Sequence, residues 1–294
     1  MPLAKRSLQV TFAMPSGNVV LDETLDLHVN IHKNCLAIGN TCAIEVYNLS
    51  QTLRQSLLSQ FTLWNKREIQ SGTGNATAQP QFINVTIQAG YVKANGQNTQ
   101  TTIYVGQVVS CEPISGPPKI GVRIACNSQM IYKGMFKTNV PPQMTYKQYA
   151  EWVGLQLQVD RTVCKTSYDD KIVVNPSMST AVREYLLLDL QNAFRPAVAA
   201  YIDNNMLIVR DQGAILTTDA PYEVNEFIGT PLWTEWGAKF QCLFDPEIQL
   251  STPVVLNSKL NPSLAQTFIV TTLDYNLTSR QVPFYVAAEG NPTA

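Results

Sequence analysis

Two histidines, six cysteines and 22 acidic side chains are the groups from which this chain could build an active site. His28 and His32 lie four residues apart. On a helix that spacing would aim both imidazoles at one zinc ion, but the H-E-x-x-H pattern needs glutamate where Val29 stands. The surrounding segment Leu25-Asp26-Leu27-His28-Val29-Asn30-Ile31 also alternates with a period of two, which predicts a strand with both histidines on its solvent face. A Ser-His-Asp triad would have to use one of the two, and no G-x-S-x-G turn presents a nucleophile. Cys35 and Cys42 occupy strand positions, which argues against a Cys-His pair. Gly72-Thr73-Gly74 is a lone G-x-G outside any strand-to-helix turn, so it reads as a loop and not a phosphate cradle. Asp169-Asp170 and Glu223/Glu226 are carboxylate pairs of the kind glycoside hydrolysis uses, and they are equally ordinary on a solvated surface. Tyr132-Lys133-Gly134-Met135-Phe136-Lys137 interleaves aromatic and basic residues as single-strand binders do, and otherwise reads as a strand edge. Trp233 and Trp236 could form a sugar platform; the preferred reading is an interface anchor. From these residues no catalytic, cofactor-binding or metal-binding position is assigned, and the chain is expected not to be an enzyme.

The composition points elsewhere. Charged residues are 15% of the 294, against roughly 25% in an ordinary soluble domain. Amides replace them: 22 Gln and 21 Asn. A neutral amide costs less to bury than a charge, so such a surface suits lasting contact with other proteins. Net charge is −1, so nothing argues for a basic nucleic-acid clamp, while a weakly charged wall past which DNA slides is compatible. The cysteines at 35, 42, 111, 126, 164 and 242 are widely spaced with no C-x-x-C, and read as small buried hydrophobes of a reducing compartment. The basic start Lys5-Arg6 is followed by no apolar core of a signal peptide. No apolar run reaches the length of a membrane span, so membrane insertion is not expected.

The elements that would position any site are mostly strands at both ends of the chain. Leu8, Val10 and Phe12 alternate with polar neighbours, and Val19-Val20-Leu21 returns after the Pro15–Asn18 turn. Cys42–Tyr47 follows the 25–31 strand. Leu49, Leu53, Leu57 and Phe61, spaced by four, predict a helix over 49–61 capped by Asn48 with Gln51 as reciprocal partner. Residues 70–81 read as a loop, Ile83–Ala89 and Ile103–Val109 as strands, Asn95-Gly96 as a turn, and Ile120–Ile124 as a further strand. Beyond about 128 the period changes. Thr145 and Gln148 form a capping box for a helix burying Tyr146, Tyr149, Ala150, Val153 and Leu157. A second helix is expected over 180–194, ended by Pro196. Val198–Ile202 and Met206–Arg210 flank Asp203-Asn204-Asn205 as a hairpin. The last third returns to short strands at 240–244, 253–256, 267–273 and 283–287, spaced as in a barrel, with a frayed tail from Glu289.

Taken in order, these segments resemble the baseplate hub family of contractile-tail phages. The likeness is carried by Ala43-Ile44-Glu45-Val46-Tyr47-Asn48-Leu49-Ser50, Val85–Tyr91 and Gly106-Gln107-Val108-Val109 in the first part. Met144-Thr145, Gly154-Leu155 and the Asp203–Val209 hairpin carry it in the middle. Phe227-Ile228-Gly229-Thr230-Pro231, Val254–Ser258, Phe268-Ile269-Val270 and Asp274-Tyr275 carry it at the end. The His-x-Gly-Asp-like residues common in the family near Asp274-Tyr275-Asn276 are missing here. The resemblance implies a mainly β fold with an α+β insertion: two tube-like β-barrels (residues 1–127 and 213–294) around a small α+β domain (128–212). It implies a homotrimer whose six barrels imitate six-fold symmetry, joining hexameric tail tube proteins to a central spike protein and touching other baseplate proteins. Outward residues of the 25–31 strand would face neighbouring barrels, and DNA would pass only transiently through the channel. The protein would be a virion component assembled in the host cytoplasm. Another ring-forming tail component (a distal-tail or tube-end protein) is the nearest alternative, and a carbohydrate-binding β-protein a more distant one.

Overall fold

Strict alternation of apolar and polar residues builds most of this molecule. The computed structural model describes residues 5–14, 17–36, 39–60, 83–93, 95–116, 119–128, 143–174, 186–213 and 220–293. Along the chain come β1 (Lys5–Met14), β2 (Gly17–Leu21), β3 (Asp26–Asn34), β4 (Thr41–Tyr47), α1 (Gln51–Gln60), β5 (Asn84–Val92), β6 (Thr101–Gly116) and β7 (Lys119–Asn127). The middle holds β8 (Gln143–Thr145), α2 (Tyr146–Leu157), β9 (Arg161–Lys165), β10 (Ile172–Val174), α3 (Leu186–Asn192), β11 (Val198–Asp203) and β12 (Met206–Asp211). The last part holds β13 (Tyr222–Val224), β14 (Leu232–Thr234), β15 (Gly237–Leu243), β16 (Pro253–Leu256), β17 (Thr267–Thr278) and β18 (Phe284–Pro292). The fold is mainly β, as the period-two segments predict.

The strands from the two ends of the chain form a single 13-stranded sheet. Its order is β14-β15-β18-β17-β3-β4-β7-β6-β5-β1-β2, with β16 also pairing β17 and β13 pairing β16. The two ends meet where β3 pairs antiparallel with β17, in register from Asn34 opposite Thr272 to His28 opposite Thr278. Leu27, Val29 and Ile31 of β3 point inward with Leu273 and Leu277 of β17, all buried. Burying each such side chain contributes about 1.5–3 kcal/mol. These residues belong to one apolar cluster that runs from Leu8 to Ala288.

The middle segment has its own core. Tyr146, Tyr149, Val153 and Leu157 of α2 pack with Leu186 and Leu190 of α3 and with Ala200, Ile202, Leu207 and Val209 of the β11–β12 hairpin. The expected capping box is present: Thr145 accepts from the Gln148 amide and the Gln148 side chain accepts from the Thr145 amide. The hairpin turns on Asn204 and Asn205, both at positive φ, as a two-residue hairpin with the strands' own twist requires. Its apolar run is continuous and not alternating because both faces are covered. Tyr201 and Ile208 turn to the large core, while Ala200, Ile202, Leu207 and Val209 turn to the small one.

Three local expectations need correcting. Helix α1 is capped by Ser50, whose Oγ accepts from the Leu53 amide at 3.3 Å; Asn48 instead takes a left-handed conformation, φ 63°, which its short polar side chain tolerates. The described part of the helix expected over 180–194 runs only from Leu186 to Asn192, and residues 180–185 lie outside the described residues. The tail is no frayed end: Glu289 to Pro292 continue β18, with Glu289 and Gly290 paired to β15 and the whole stretch paired to β17. Close approach explains Gly237, at φ 152°, where a Cβ would lie 2.1 Å from the Gly290 carbonyl oxygen.

Replacing Thr145 by Ala removes the reciprocal cap while leaving the packed face of α2 untouched. The expected loss is about 1 kcal/mol, read as a lower urea midpoint at unchanged slope.

Candidate functional site

The side of the sheet turned away from the core is a surface that runs across strands from both ends of the chain. Cross-strand register lines up its side chains in rows. Asn276 of β17 lies opposite Asn30 of β3, Asn30 opposite Ala43 of β4, and Ala43 opposite Ala125 of β7. One step along, Gln241 lies opposite Ala287, Asp274 opposite His32, His32 opposite Thr41 and Thr41 opposite Asn127. Small residues at the centre leave a groove of about 650 Å³ across seven strands. Its lining is mostly amides, hydroxyls and alanines, with His32 and Asp274 among them.

Arg123 and Lys239 on this face are each paired with a carboxylate. Arg123 donates to Glu45 Oε1 from Nε at 2.9 Å and Nη2 at 2.5 Å. Lys239 donates to Glu289 at 2.7 Å, and His32 Nδ1 lies 2.6 Å from Asp274 Oδ1. Burial pulls the Glu45 carboxyl up, but hydrogen bonds from Arg123 and the Tyr47 hydroxyl outweigh it and hold the group below the usual range. The hydrogen bond to Glu289 and its charge raise Lys239.

The sequence candidates for chemistry are dispersed. His28 and His32 share the face of β3 away from the core, as the period predicts; His28 sits 3.2 Å from Asp26 Oδ1. Cys35 and Cys42 turn to the opposite, buried face. Burial pushes the Cys42 and Cys126 thiols well up, and each is raised further by a neighbouring thiol; burial holds Cys111 at about 11 and Cys242 at about 12. Asp169 is occupied as a turn acceptor for the Thr166 amide and hydroxyl, at 2.9 and 2.7 Å, and for Cys164 Sγ. Glu223 accepts from Asn257, while Trp233 donates to Ser263 Oγ at 3.0 Å and meets the Phe268 ring edge-on. Neither glutamate of the 223/226 pair bonds to either tryptophan. Among the described residues no three His, Cys, Asp or Glu side chains gather as metal ligands. The Gly72–Gly74 and Tyr132–Lys137 motifs lie outside the described residues.

What sequence reading missed is the joint between the two cores. Lys33 continues the inward series Leu27, Val29, Ile31, and its Nζ donates to Asp203 Oδ1 at 2.5 Å and to Asn204 Oδ1 at 3.1 Å. The two charged side chains are 4% and 9% exposed. Asn40 Nδ2 donates to the Ile202 carbonyl at 3.0 Å, and Tyr201 shares a hydrogen bond with Ser251. A charge at an inward strand position was the visible signal; its partner, 170 residues on, was not.

This joint gives the sheet two unlike rims. The rim where β3 ends carries the middle domain together with Leu36, Leu232, Trp233, Trp236 and Leu260, all exposed and Trp236 to 75%. The rim where β3 begins carries Lys5, Arg6 and Arg280 around a separate cleft.

A family model described as "Baseplate hub gp41" matches residues 7–290. No curated protein matches the chain. Among solved structures, the fold is similar to that of the prophage MuSo2 43 kDa tail protein from Shewanella oneidensis, with TM-score 0.57, 9% identity, and 97% of this chain and 98% of that chain covered. It is similar to the tail protein from Neisseria meningitidis MC58, with TM-score 0.59, 8% identity, and 97% and 96% covered. It is also similar to a chain of the lidded Francisella PdpA-VgrG complex, with TM-score 0.55 and 8% identity, where 99% of this chain matches 53% of that one. At such identities the likeness is one of fold.

Two outcomes follow from the buried groups. K33M alone strands Asp203 and is expected to cost about 3–5 kcal/mol, whereas K33M/D203L, which removes both charges, recovers most of it; paired denaturation curves read the difference. With their pKa values raised, Cys42 and Cys126 hold almost no thiolate at pH 8. Iodoacetamide is expected to spare both in the native protein and to label all six cysteines in 6 M guanidinium.

Proposed function

Because the chain belongs to the baseplate hub gp41 family, a family of phage baseplate structural proteins, we propose that three copies form the ring joining the tail tube to the central spike. We read residues 1–127 and 213–294 of each copy as two tube-like barrels joined through one continuous sheet and one core, with the α+β domain 128–212 between them. Three copies then offer six similar barrels to a six-fold tube and three-fold contacts to a spike. The role is structural, with no catalytic step.

The observation that carries this reading is the sheet continuing from one half of the chain to the other through β3 and β17. A sheet that crosses the joint gives both halves one shared wall. Its exposed face, with Asn30, Asn276, Thr41 and Gln241 among paired charges, is the side we assign to the DNA channel. A wall with few unpaired cations releases few counterions from passing DNA, so it does not hold the polyanion. This assignment replaces the expectation that those outward residues meet neighbouring barrels. Contact with neighbours falls to the rims, where Trp233 and Trp236 are suited to a lasting interface with other baseplate proteins or the spike. Six free cysteines fit assembly in the reducing host cytoplasm before release.

Native mass spectrometry of the purified protein, alone and with tube and spike proteins, tests the reading. A mass of three chains is expected; a stable monomer with no affinity for tail proteins overturns it. W236A, at a side chain 75% exposed, is expected to leave the unfolding free energy within about 0.5 kcal/mol of wild type, as surface substitutions do, and to weaken assembly at least about tenfold, the effect of losing an anchor worth some 1.4 kcal/mol or more.

A further inference from the structure

The rim opposite the middle domain holds a cleft of about 480 Å³ between the start of β1, the β2–β3 turn and the β17–β18 turn. Three cations face it. Arg6 Nη1 donates to the Gln281 carbonyl and its guanidinium lies 5.1 Å from the centre of the Phe284 ring. Arg280 Nη2 donates to the Thr24 carbonyl. Each guanidinium is therefore fixed in place by a neutral acceptor, with no carboxylate paired to it among the described residues. Lys5, its side chain 70% exposed, has only Glu23 at 3.4 Å. Val282 stands 84% exposed at the same turn.

Two guanidiniums that line one cleft, each fixed by a neutral acceptor and neither paired with a carboxylate among the described residues, are a recognition feature. A guanidinium keeps its remaining N–H donors in a fixed fork that matches a carboxylate. We infer that this cleft receives an acidic peptide segment of the protein ring stacked on that rim, its Asp or Glu carboxylates held by Arg6 and Arg280 and its apolar neighbour by Val282. Glu23 in the cleft and the apolar Val282 disfavour a phosphate backbone and suit a peptide. The inference rests on the ring reading and adds to it a polarity: an aromatic rim towards one neighbour, a cationic rim towards the other.

Zero-length carbodiimide coupling of purified phage particles tests it, because the reagent joins an amine only to a carboxylate in contact. The expected result is a cross-link from Lys5 to an Asp or Glu of a different polypeptide. If the protein is present in the particle and Lys5 links only to Glu23, or to nothing, the inference falls while the ring reading stands. If the protein is absent from the particle, both fall. A parallel arm uses R6Q/R280Q, which keeps donors for the two carbonyls but removes the charges, and R6K/R280K, which keeps both. The Gln pair is expected to retain the three-chain mass and lower the yield of complete tails at least about tenfold, with the Lys pair restoring most of it. Equal yields from all three proteins overturn the inference, as does wild-type binding of a duplex oligonucleotide that the Gln pair abolishes.

Discussion

The antiparallel pairing of β3 with β17 is the contact on which the rest of the architecture hangs. It brings His32 against Asp274, 242 residues apart in sequence. Closing a loop of that length costs about 5 kcal/mol beyond a constant, by the logarithmic dependence on length. The inward side chains Leu27, Val29, Ile31, Leu273 and Leu277 are all buried at the seam and together contribute at least about 7 kcal/mol. Burial there outweighs closure, and the two ends of the chain share one sheet and one core.

That seam also dictates how the middle domain attaches. The β11–β12 hairpin is apolar on both faces, so it can complete its own small core and press Tyr201 and Ile208 into the large one. The polar groups at this joint are buried as well, and each has a partner across it: Lys33 with Asp203 and Asn204, Asn40 with the Ile202 carbonyl. Buried polar contacts of this kind contribute little net free energy compared with an apolar substitute, but a misplaced one is costly. They select one docking geometry among those that hydrophobic contact alone would permit.

With the interior allocated in this way, the surfaces separate by chemistry. The broad outer face of the sheet carries little unpaired positive charge, because amides occupy the rows and Arg123 and Lys239 are matched by Glu45 and Glu289. One rim is aromatic and apolar, the other cationic. Unlike rims let one protein discriminate between partners, since like rims would bind either partner at either side. Several of the candidate groups are engaged in the scaffold: His28 with Asp26, Asp169 in a turn, and Cys42, Cys111, Cys126 and Cys242 in the core.

Much of this was legible from the order of residues alone. Period-two alternation located β1, β3, β4, β5 and β7. The Thr145/Gln148 box marked the start of α2, and Asn204-Asn205 marked a hairpin, because these signals act between residues a few positions apart. Where two local solutions compete, as at Asn48 and Ser50, sequence chose the wrong cap; φ at Asn48 was settled by how the chain leaves β4. The β3–β17 seam, the Lys33–Asp203 pair, the continuation of β18 through Pro292 and the contrast between rims came only from tertiary structure. Each depends on partners a few tens to more than 200 positions apart, and alternation says which face of a strand is buried but not which strand lies beside it.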